Sequence, residues 1–294
     1  MGQNNKNERV SNEFQLGTRA FHTIDDKNRL WTFNVQGKII IYQLPFKGGD
    51  KPLKNFVKLY WDDTGNEVDY YGYGGIVFDR WNKAIWIVDK FHNRLLRIGN
   101  YNDFQDKLYV DMVIGQPDKT HTKCNHNQQE EWLASASPSA DSLCRPYAIE
   151  FDNFGNLYVI ENDYECHGNN RIIVFMKEDL KNVKTLFPQI KAKKVFIARS
   201  LNEKGPCAGV INKPGSPVSI AFNSKNQMVI GNDGYYGNQE ERHLRQLWFY
   251  DNPLKKNPDG SYVQGQEPDA VIAIPMGAPG EINFDKYDNL IIQD

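Results

Sequence analysis

Alternating apolar and polar positions recur in five short stretches of the chain, each built around the same kind of turn. Every stretch has an apolar residue, Asp or Asn, a run of turn-forming residues and then a short apolar strand. Asp, Asn, Lys and Gly tolerate the backbone angles of tight turns, so each stretch is predicted to be a β-hairpin. The copies read IDDKNRLWTFN from Ile24, FDRWNKAIWIVD from Phe78, FDNFGNLYVIE from Phe151, FNSKNQMVIGN from Phe222 and FDKYDNLIIQD from Phe284.

A third and a fourth apolar strand follow four of these hairpins. The third strands read KIIIY from Lys38, NRLLRI from Asn93, NRIIVF from Asn170 and RQLWFY from Arg245. The fourth strands read NFVKLY from Asn55, DMVIG from Asp111, KKVFIA from Lys193 and DAVIAI from Asp269. A four-stranded antiparallel unit that repeats without helical periodicity predicts an all-β fold of the β-propeller type. A two-sheet sandwich, the rival fold, does not require a recurring turn.

The repeat also predicts the organisation of the chain. Residues 19–294 are expected to form the propeller, after a polar segment over 1–18 from which residues 9–17 could supply one closing strand. The fifth unit stops after its second strand, which would leave Leu290 to Gln293 as an open apolar edge. We therefore expect about four and a half blades, and a chain that is a fragment of a larger ring.

The stretch SLCRPYAIEFDNFGNLYVIENDYECHGNNRIIVF, from Ser142 to Phe175, resembles an NHL repeat. It has a Pro before the first strand, an Asp-x-x-Gly-Asn turn, an acidic residue that closes the second strand and Asn-Arg-Ile opening the third. The stretch GGIVFDRWNKAIWIVDKFHNRLLRI repeats this pattern without the Pro. The resemblance is to bacterial NHL-repeat proteins of unassigned function, and it implies an original ring of six blades.

Two carboxylates of the repeat precede an Arg at the start of the next strand. Asp89 is followed by Arg94, and Glu161 by Arg171. A carboxylate at this position can accept hydrogen bonds from Arg or from the backbone and so fix the loop. The alternative is a ring of catalytic or metal-binding carboxylates, which Asn34 and Asn232 interrupt in units one and four. We therefore interpret the pairs as structural.

The longest insertions are predicted to open on one face of the propeller, which we call the long-loop face. It carries the loops between second and third strands and the loops that join one blade to the next, namely 116–145, 162–169, 200–216 and 233–243. Long loops on a rigid scaffold often carry binding sites. The insertion 251–268 is expected on the other face as a polar surface loop.

All four cysteines lie in these loops. We expect the disulfides Cys124–Cys144 and Cys166–Cys207, because each would close one local excursion. Free thiols and a zinc site that uses His121, Cys124 and His126 are the alternatives. Two disulfides would favour an extracellular or cell-envelope location, although the first residues, MGQNNKNERV, have no apolar core typical of a signal peptide.

The main functional hypothesis is a non-catalytic recognition domain that binds a protein or a glycan through the long-loop face. No nucleophile elbow, P-loop or zinc-protease motif is present in the sequence. We expect no cofactor, with Ca²⁺ or Zn²⁺ as the weaker alternative. The candidate partner-binding residues are His92, Tyr164, Glu165, His167, Tyr235, Tyr236 and Arg242, whereas His22 is expected in the core.

Two other function classes stay open. The first is a metal-dependent hydrolase or lyase, lactonase-like or amidating-lyase-like, that uses the central channel. The second is RNA binding through the lysine-rich segment from Lys177 to Lys194. The formal net charge of −2 argues against a dedicated nucleic-acid binder. Lysines along an outer strand also have a structural role, because they discourage edge-to-edge pairing.

Overall fold

The computed structural model describes residues 21–33, 37–47, 50–56, 58–72, 74–102, 107–126, 137–162, 168–181, 183–206, 216–233, 245–274 and 280–293. Nearly all of its regular structure is β-strand. The helical elements in these ranges are one α-helical turn, Lys177–Leu180, and two 3-10 turns, Lys90–His92 and Cys124–His126. No helix within these ranges is long and apolar enough to cross a membrane.

Four sheets follow one another along the chain, and a two-stranded hairpin comes after them. Blade 1 contains β1 (His22–Ile24), β2 (Arg29–Phe33), β3 (Ile39–Gln43) and β4 (Lys54–Phe56). Blade 2 contains β7 (Ile76–Asp79), β8 (Ala84–Asp89), β9 (Arg94–Ile98) and β10 (Leu108–Ile114). Two further strands that belong to the blade 2 sheet, β5 (Leu59–Trp61) and β6 (Glu67–Val68), precede these in the chain.

Blade 3 contains β11 (Pro146–Phe151), β12 (Leu157–Glu161), β13 (Arg171–Phe175) and β14 (Lys194–Phe196). Blade 4 contains β15 (Pro217–Phe222), β16 (Met228–Asn232), β17 (Arg245–Tyr250) and β18 (Ala270–Ile274). The final hairpin contains β19 (Glu281–Phe284) and β20 (Leu290–Gln293). Within each blade the consecutive strands pair antiparallel, as the repeat predicts.

The sheets are arranged as the blades of a propeller. The first strand of each unit contacts the first strand of the next, in the order β1, β7, β11, β15 and β19. The apolar clusters lie between adjacent sheets: Trp31 and Ile85 share one, Val88 and Val159 the next. Side chains from both faces of a central blade are therefore buried, which confirms the predicted β-propeller with four blades and a further hairpin.

The five hairpin turns share one hydrogen-bond pattern. In each turn the Asp or Asn side-chain oxygen accepts the backbone N–H two residues on, at 2.8–3.0 Å, and one later residue has a positive φ. A short polar side chain that bonds its own turn stabilises this conformation locally. The accepting residues are Asp25, Asp79, Asp152, Asn223 and Asp285, and the positive-φ residues are Asn28, Lys83, Gly155, Asn226 and Asp288.

One detail of the outer strands differs from the sequence-based prediction. The segment NFVKLY is not one strand, because β4 completes blade 1 whereas β5 pairs in parallel with β10 of blade 2. Blade 2 thereby becomes a six-stranded sheet. The β5–β6 hairpin covers an outer edge that would otherwise present unpaired backbone groups.

The insertion 251–268 is also better ordered than a polar surface loop. Gly265 donates its backbone N–H to the Val195 carbonyl at 2.9 Å, and Gln264 Oε1 accepts the Val195 N–H at 2.8 Å. The buried Lys194 ammonium donates to the Val263 carbonyl at 2.6 Å and to Gln266 Oε1 at 2.9 Å. The insertion therefore covers the outer edge of blade 3.

Candidate binding site on the long-loop face

The strand-end carboxylates form the ion pairs that the repeat suggests. Asp89 Oδ2 lies 2.8 Å from Arg94 Nε, and Glu161 Oε2 lies 2.5 Å from Arg171 Nε. All four side chains are almost completely buried. Each carboxylate also accepts a backbone N–H from the segment that enters its own blade, from Tyr71 for Asp89 and from Cys144 for Glu161. The two carboxylates therefore fix the backbone segments that lead into the first strands of blades 2 and 3.

Blade 4 shows the same arrangement with an amide in place of the acid. Asn232 Oδ1 accepts the backbone N–H of Ser216 at 3.0 Å, and Arg245 pairs instead with Asp233 at 3.2 Å. In blade 4, where the Arg pairs with another acid, a neutral hydrogen-bond acceptor at the end of the second strand is sufficient. This supports a structural role for the strand-end residues.

His92 lies beside the Asp89–Arg94 pair. It ends the 3-10 turn between β8 and β9, and Asn93 after it adopts a left-handed conformation with φ +53°. The His92 Nδ1 lies 2.9 Å from Asp89 Oδ2, and its Nε2 lies 3.6 Å from Asp69 Oδ2. The buried carboxylate of Asp89 orients the imidazole, so Nε2 faces the exposed side chain of Asp69.

Two exposed aromatic rings adjoin His92. Tyr71 is 50% exposed and Phe91 is 49% exposed, and their centroids lie 5.6 Å apart in an edge-to-face arrangement. The Tyr71 ring is also 5.8 Å from the His92 ring, and the Arg145 guanidinium lies 5.6 Å from the Phe91 centroid. We call the cluster of Asp69, Tyr71, Phe91, His92 and Arg145 the Tyr71–Phe91 site.

The site joins blades 2 and 3 at the long-loop face. Asp69 and Tyr71 precede β7, Phe91 and His92 join β8 to β9, and Arg145 precedes β11. Asn93 Oδ1 accepts the Arg145 backbone N–H at 2.7 Å, which ties the two blades together next to the site. Of its five residues, the sequence pointed only to His92. The aromatic run YYGYGG is visible in the sequence, but the exposure of Tyr71 depends on the blade packing.

A disulfide fixes the loop beside this site. The predicted Cys124–Cys144 bond is present, with a sequence separation of 20 residues. Next to it, Asn125 and Asn169 exchange side-chain hydrogen bonds at 3.0 and 2.9 Å. The alternative prediction of a zinc site that includes Cys124 is wrong, because the sulfur of Cys124 is bonded to Cys144 and does not supply a thiolate.

The two histidines of that alternative also have other contacts. His121 Nδ1 lies 2.7 Å from Asp118 Oδ2, and the hydrogen bond from His121 lowers the pKa of Asp118. His126 Nε2 lies 3.1 Å from the carbonyl of Gly115. Across the described ranges, no group of three or more His, Cys, Asp and Glu side chains is arranged to hold a metal ion.

Several predicted site residues lie outside the described residues. They are the partner-binding candidates Tyr164, Glu165, His167, Tyr235, Tyr236 and Arg242 and the second cysteine pair, Cys166 and Cys207. The predicted closing strand over residues 9–17 lies outside them as well. These hypotheses stay predictions.

The centre of the propeller carries a small group of ionisable side chains. The prediction that His22 is a core residue is wrong, because its side chain is 41% exposed and lies 3.2 Å from Glu281. Burial raises the pKa of the half-buried Glu150 to about 7. Phe21 packs edge-to-face on Tyr147, with 5.4 Å between the ring centroids. The residue before β1 thus contacts the first strand of blade 3.

The lysine-rich segment packs against the side of the propeller. Leu186 and Phe187 contact the apolar cluster between blades 1 and 2, and the backbone N–H of Val113 donates to the Leu186 carbonyl at 2.7 Å. Ile190 is buried in the next cluster, and Lys194 is buried as well. The segment is thus anchored by its apolar residues, and RNA binding through its lysines stays a prediction.

The chain matches no protein-family model, and no curated protein is significantly similar to it. It is similar in structure to a Bacteroides uniformis protein with a provisional 6-phosphogluconolactonase assignment, at 12% identity and a TM-score of 0.48, over 91% of this chain and 61% of that one. A catalytically inactive virginiamycin B lyase from Staphylococcus aureus with quinupristin shares 16% identity at a TM-score of 0.44, over 94% of this chain and 64% of that one.

A pyrroloquinoline-quinone-bound aldose sugar dehydrogenase from Streptomyces coelicolor shares 11% identity at a TM-score of 0.45. The similarity covers 92% of this chain and 73% of that one. The chain thus spans less than two thirds of the length of the first two structures. Similarity at this level says nothing about activity.

Proposed function

We propose that this chain is an NHL-type propeller that acts as a non-catalytic recognition domain and binds a protein or carbohydrate partner through its long-loop face. The observation that carries the proposal is the half-exposed pair of Phe91, on the 3-10 turn between β8 and β9, and Tyr71, in the segment that precedes β7. Exposed aromatic rings are enriched where proteins bind ligands. The neighbouring Asp69, His92 and Arg145 supply hydrogen-bonding groups.

The proposal is tested by selecting ligands on the intact chain. A displayed peptide library and a glycan array are each probed with the wild-type protein and with the double variant Tyr71→Ala/Phe91→Ala. Tyr287→Ala is the matched control, because Tyr287 is 73% exposed but lies in the last hairpin turn, on the opposite face. Ligands that the wild type and the control retain and the double variant loses support the proposal. Ligands that bind all three proteins equally contradict it.

A second candidate function rests on one specific observation. His92 is oriented by a buried carboxylate and presents Nε2 toward the exposed Asp69, which is an arrangement that general bases use. This favours a hydrolase or lyase as the alternative to a recognition domain. Turnover of a panel of lactones and nitrophenyl esters, lost in His92→Ala but retained in His121→Ala, would support the enzyme. Thermal shifts with Ca²⁺, Zn²⁺ and EDTA test its metal dependence.

A further inference from the structure

We infer that the Tyr71–Phe91 site binds a pyranose ring of an oligosaccharide. This inference rests on the proposed recognition function and specifies its ligand class. The faces of aromatic rings carry negative charge density, and the C–H groups on one side of a pyranose are weakly positive. A flat sugar ring can therefore stack on an exposed aromatic face while its hydroxyl groups point sideways.

The composition of the exposed surface favours a sugar over a protein partner. Among the described residues, ten large apolar side chains are exposed, and only Tyr71 and Phe91 of these lie on the long-loop face. The others lie at the hairpin turns, in the connection between β3 and β4, or along β18 and β20. A protein interface buries about 800 Å² on each partner around a packed apolar centre. The two exposed aromatic rings described on this face provide a smaller contact area, which suits a single sugar ring.

The polar side chains around the rings match the chemistry of sugar hydroxyls. The Asp69 side chain is 82% exposed, and its carboxylate accepts hydrogen bonds at two oxygens. His92 Nε2 lies 3.6 Å from that carboxylate, and the Arg145 guanidinium lies over Phe91. Neighbouring hydroxyls on a pyranose both donate and accept hydrogen bonds. One sugar ring can therefore form hydrogen bonds with a carboxylate, an imidazole and a guanidinium at the same time.

The site is held in place before any ligand arrives. Asp89 fixes the His92 ring, and the Tyr71 backbone N–H donates to the same carboxylate at 3.2 Å. Arg145 is held through its backbone N–H by Asn93, and it directly follows the disulfide-bonded Cys144. A preordered site loses little conformational entropy on binding, which matters for sugars because each contact is weak.

The experiment measures oligosaccharide binding to the full chain by isothermal titration calorimetry. The probes are cellohexaose, chitohexaose and hexagalacturonate, so that neutral, acetamido and acidic pyranoses are separated. For a probe that binds, we expect Tyr71→Ala/Phe91→Ala to raise the Kd by at least about tenfold. The control Tyr287→Ala should retain the wild-type Kd. If the double variant folds poorly, Asp69→Ala provides a second test, because it replaces only one exposed side chain. This variant should also weaken binding.

The outcomes separate this inference from the proposed function. Binding that is unchanged in both the double variant and Asp69→Ala would overturn the site. If no probe binds the wild type but selected peptides bind in a Tyr71-dependent manner, the carbohydrate inference is wrong and the recognition function stands. If neither sugars nor peptides depend on these residues, both are overturned.

Discussion

Glu161 and Arg171 form an ion pair of 2.5 Å in which neither side chain is exposed to solvent. Glu161 also accepts the Cys144 N–H and a side-chain N–H of Asn169, both at 2.6 Å. One carboxylate thus joins the entry of blade 3, its second strand and its third strand. This is the interaction in the repeat that we expect to matter most for stability.

Removing the negative charge of Glu161 should destabilise the fold strongly. Glu161→Gln leaves the buried guanidinium of Arg171 without a counter-charge, and a broken buried pair costs about 3 kcal/mol or more of the free energy of unfolding. Urea unfolding followed by tryptophan fluorescence measures the change. The control is Glu67→Gln, which breaks the exposed pair with Lys58 and should leave the midpoint almost unchanged. Equal effects of the two variants would contradict a special role for the buried pair.

The disulfide should contribute substantially to stability. Replacing both Cys124 and Cys144 by Ala removes a cross-link across 20 residues and should lower the free energy of unfolding by about 3 kcal/mol, according to the chain-entropy relation. Reduction of the wild-type protein with dithiothreitol should reproduce the loss, whereas the double variant should be insensitive to the reductant. A variant as stable as the oxidised wild type would show that the loop is held by its hydrogen bonds alone.

Glu150 should make stability depend on pH between about 4.5 and 7. Burial raises the pKa of Glu150 from 4.5 to about 7, with the nearby Glu281 adding to the shift. In this range the unfolded chain releases the proton and the folded chain retains it, so stability falls as pH rises. Glu150→Gln should remove this part of the pH dependence. The control is Glu178→Gln, at an exposed residue on the α-helical turn. It should leave the dependence of the free energy of unfolding on pH the same as in the wild type.

Lys194 should be required to hold the insertion 251–268 on blade 3. Lys194→Met removes the donors to the Val263 carbonyl and Gln266 Oε1, and leaving such acceptors unpaired costs about 1–3 kcal/mol. Hydrogen exchange of the Gly265 amide, which bonds the Val195 carbonyl, should become faster. The exposed neighbour gives the control, because Lys193→Met should leave the Gly265 exchange rate unchanged. Unchanged exchange in Lys194→Met would show that the backbone bonds suffice.

Gly155 should tolerate substitution less well than another glycine of similar backbone conformation. Gly155 and Gly260 have φ +93° and +85°, but a Cβ at Gly155 would lie 2.9 Å from the Trp81 ring, whereas nothing lies within 4 Å at Gly260. Both changes to Ala carry backbone strain of about 1–2 kcal/mol. Gly155→Ala should therefore lower the melting temperature more than Gly260→Ala. An equal loss would mean that Trp81 moves aside freely.

The local elements were largely predictable because the signals for them are local. A turn Asp such as Asp152 accepts a hydrogen bond from the backbone only two residues away. The residues that form such a turn are therefore consecutive in the sequence and can be recognised there. The Asp89–Arg94 pair and the Cys124–Cys144 bond follow from short separations as well. In contrast, β5 joins blade 2 by pairing with the edge strand β10, whose residues lie almost 50 positions later in the chain. No local sequence pattern predicts such a pairing.

The sequence by itself determined the hairpins, their number and the propeller class, because hydrophobic period and turn chemistry act within a few residues. Only the tertiary structure decided which side chains meet on the long-loop face. Tyr71, Phe91 and Arg145 come from two blades and lie far apart in the chain. Their exposure depends on how neighbouring sheets pack, which is set by long-range burial of apolar side chains between blades.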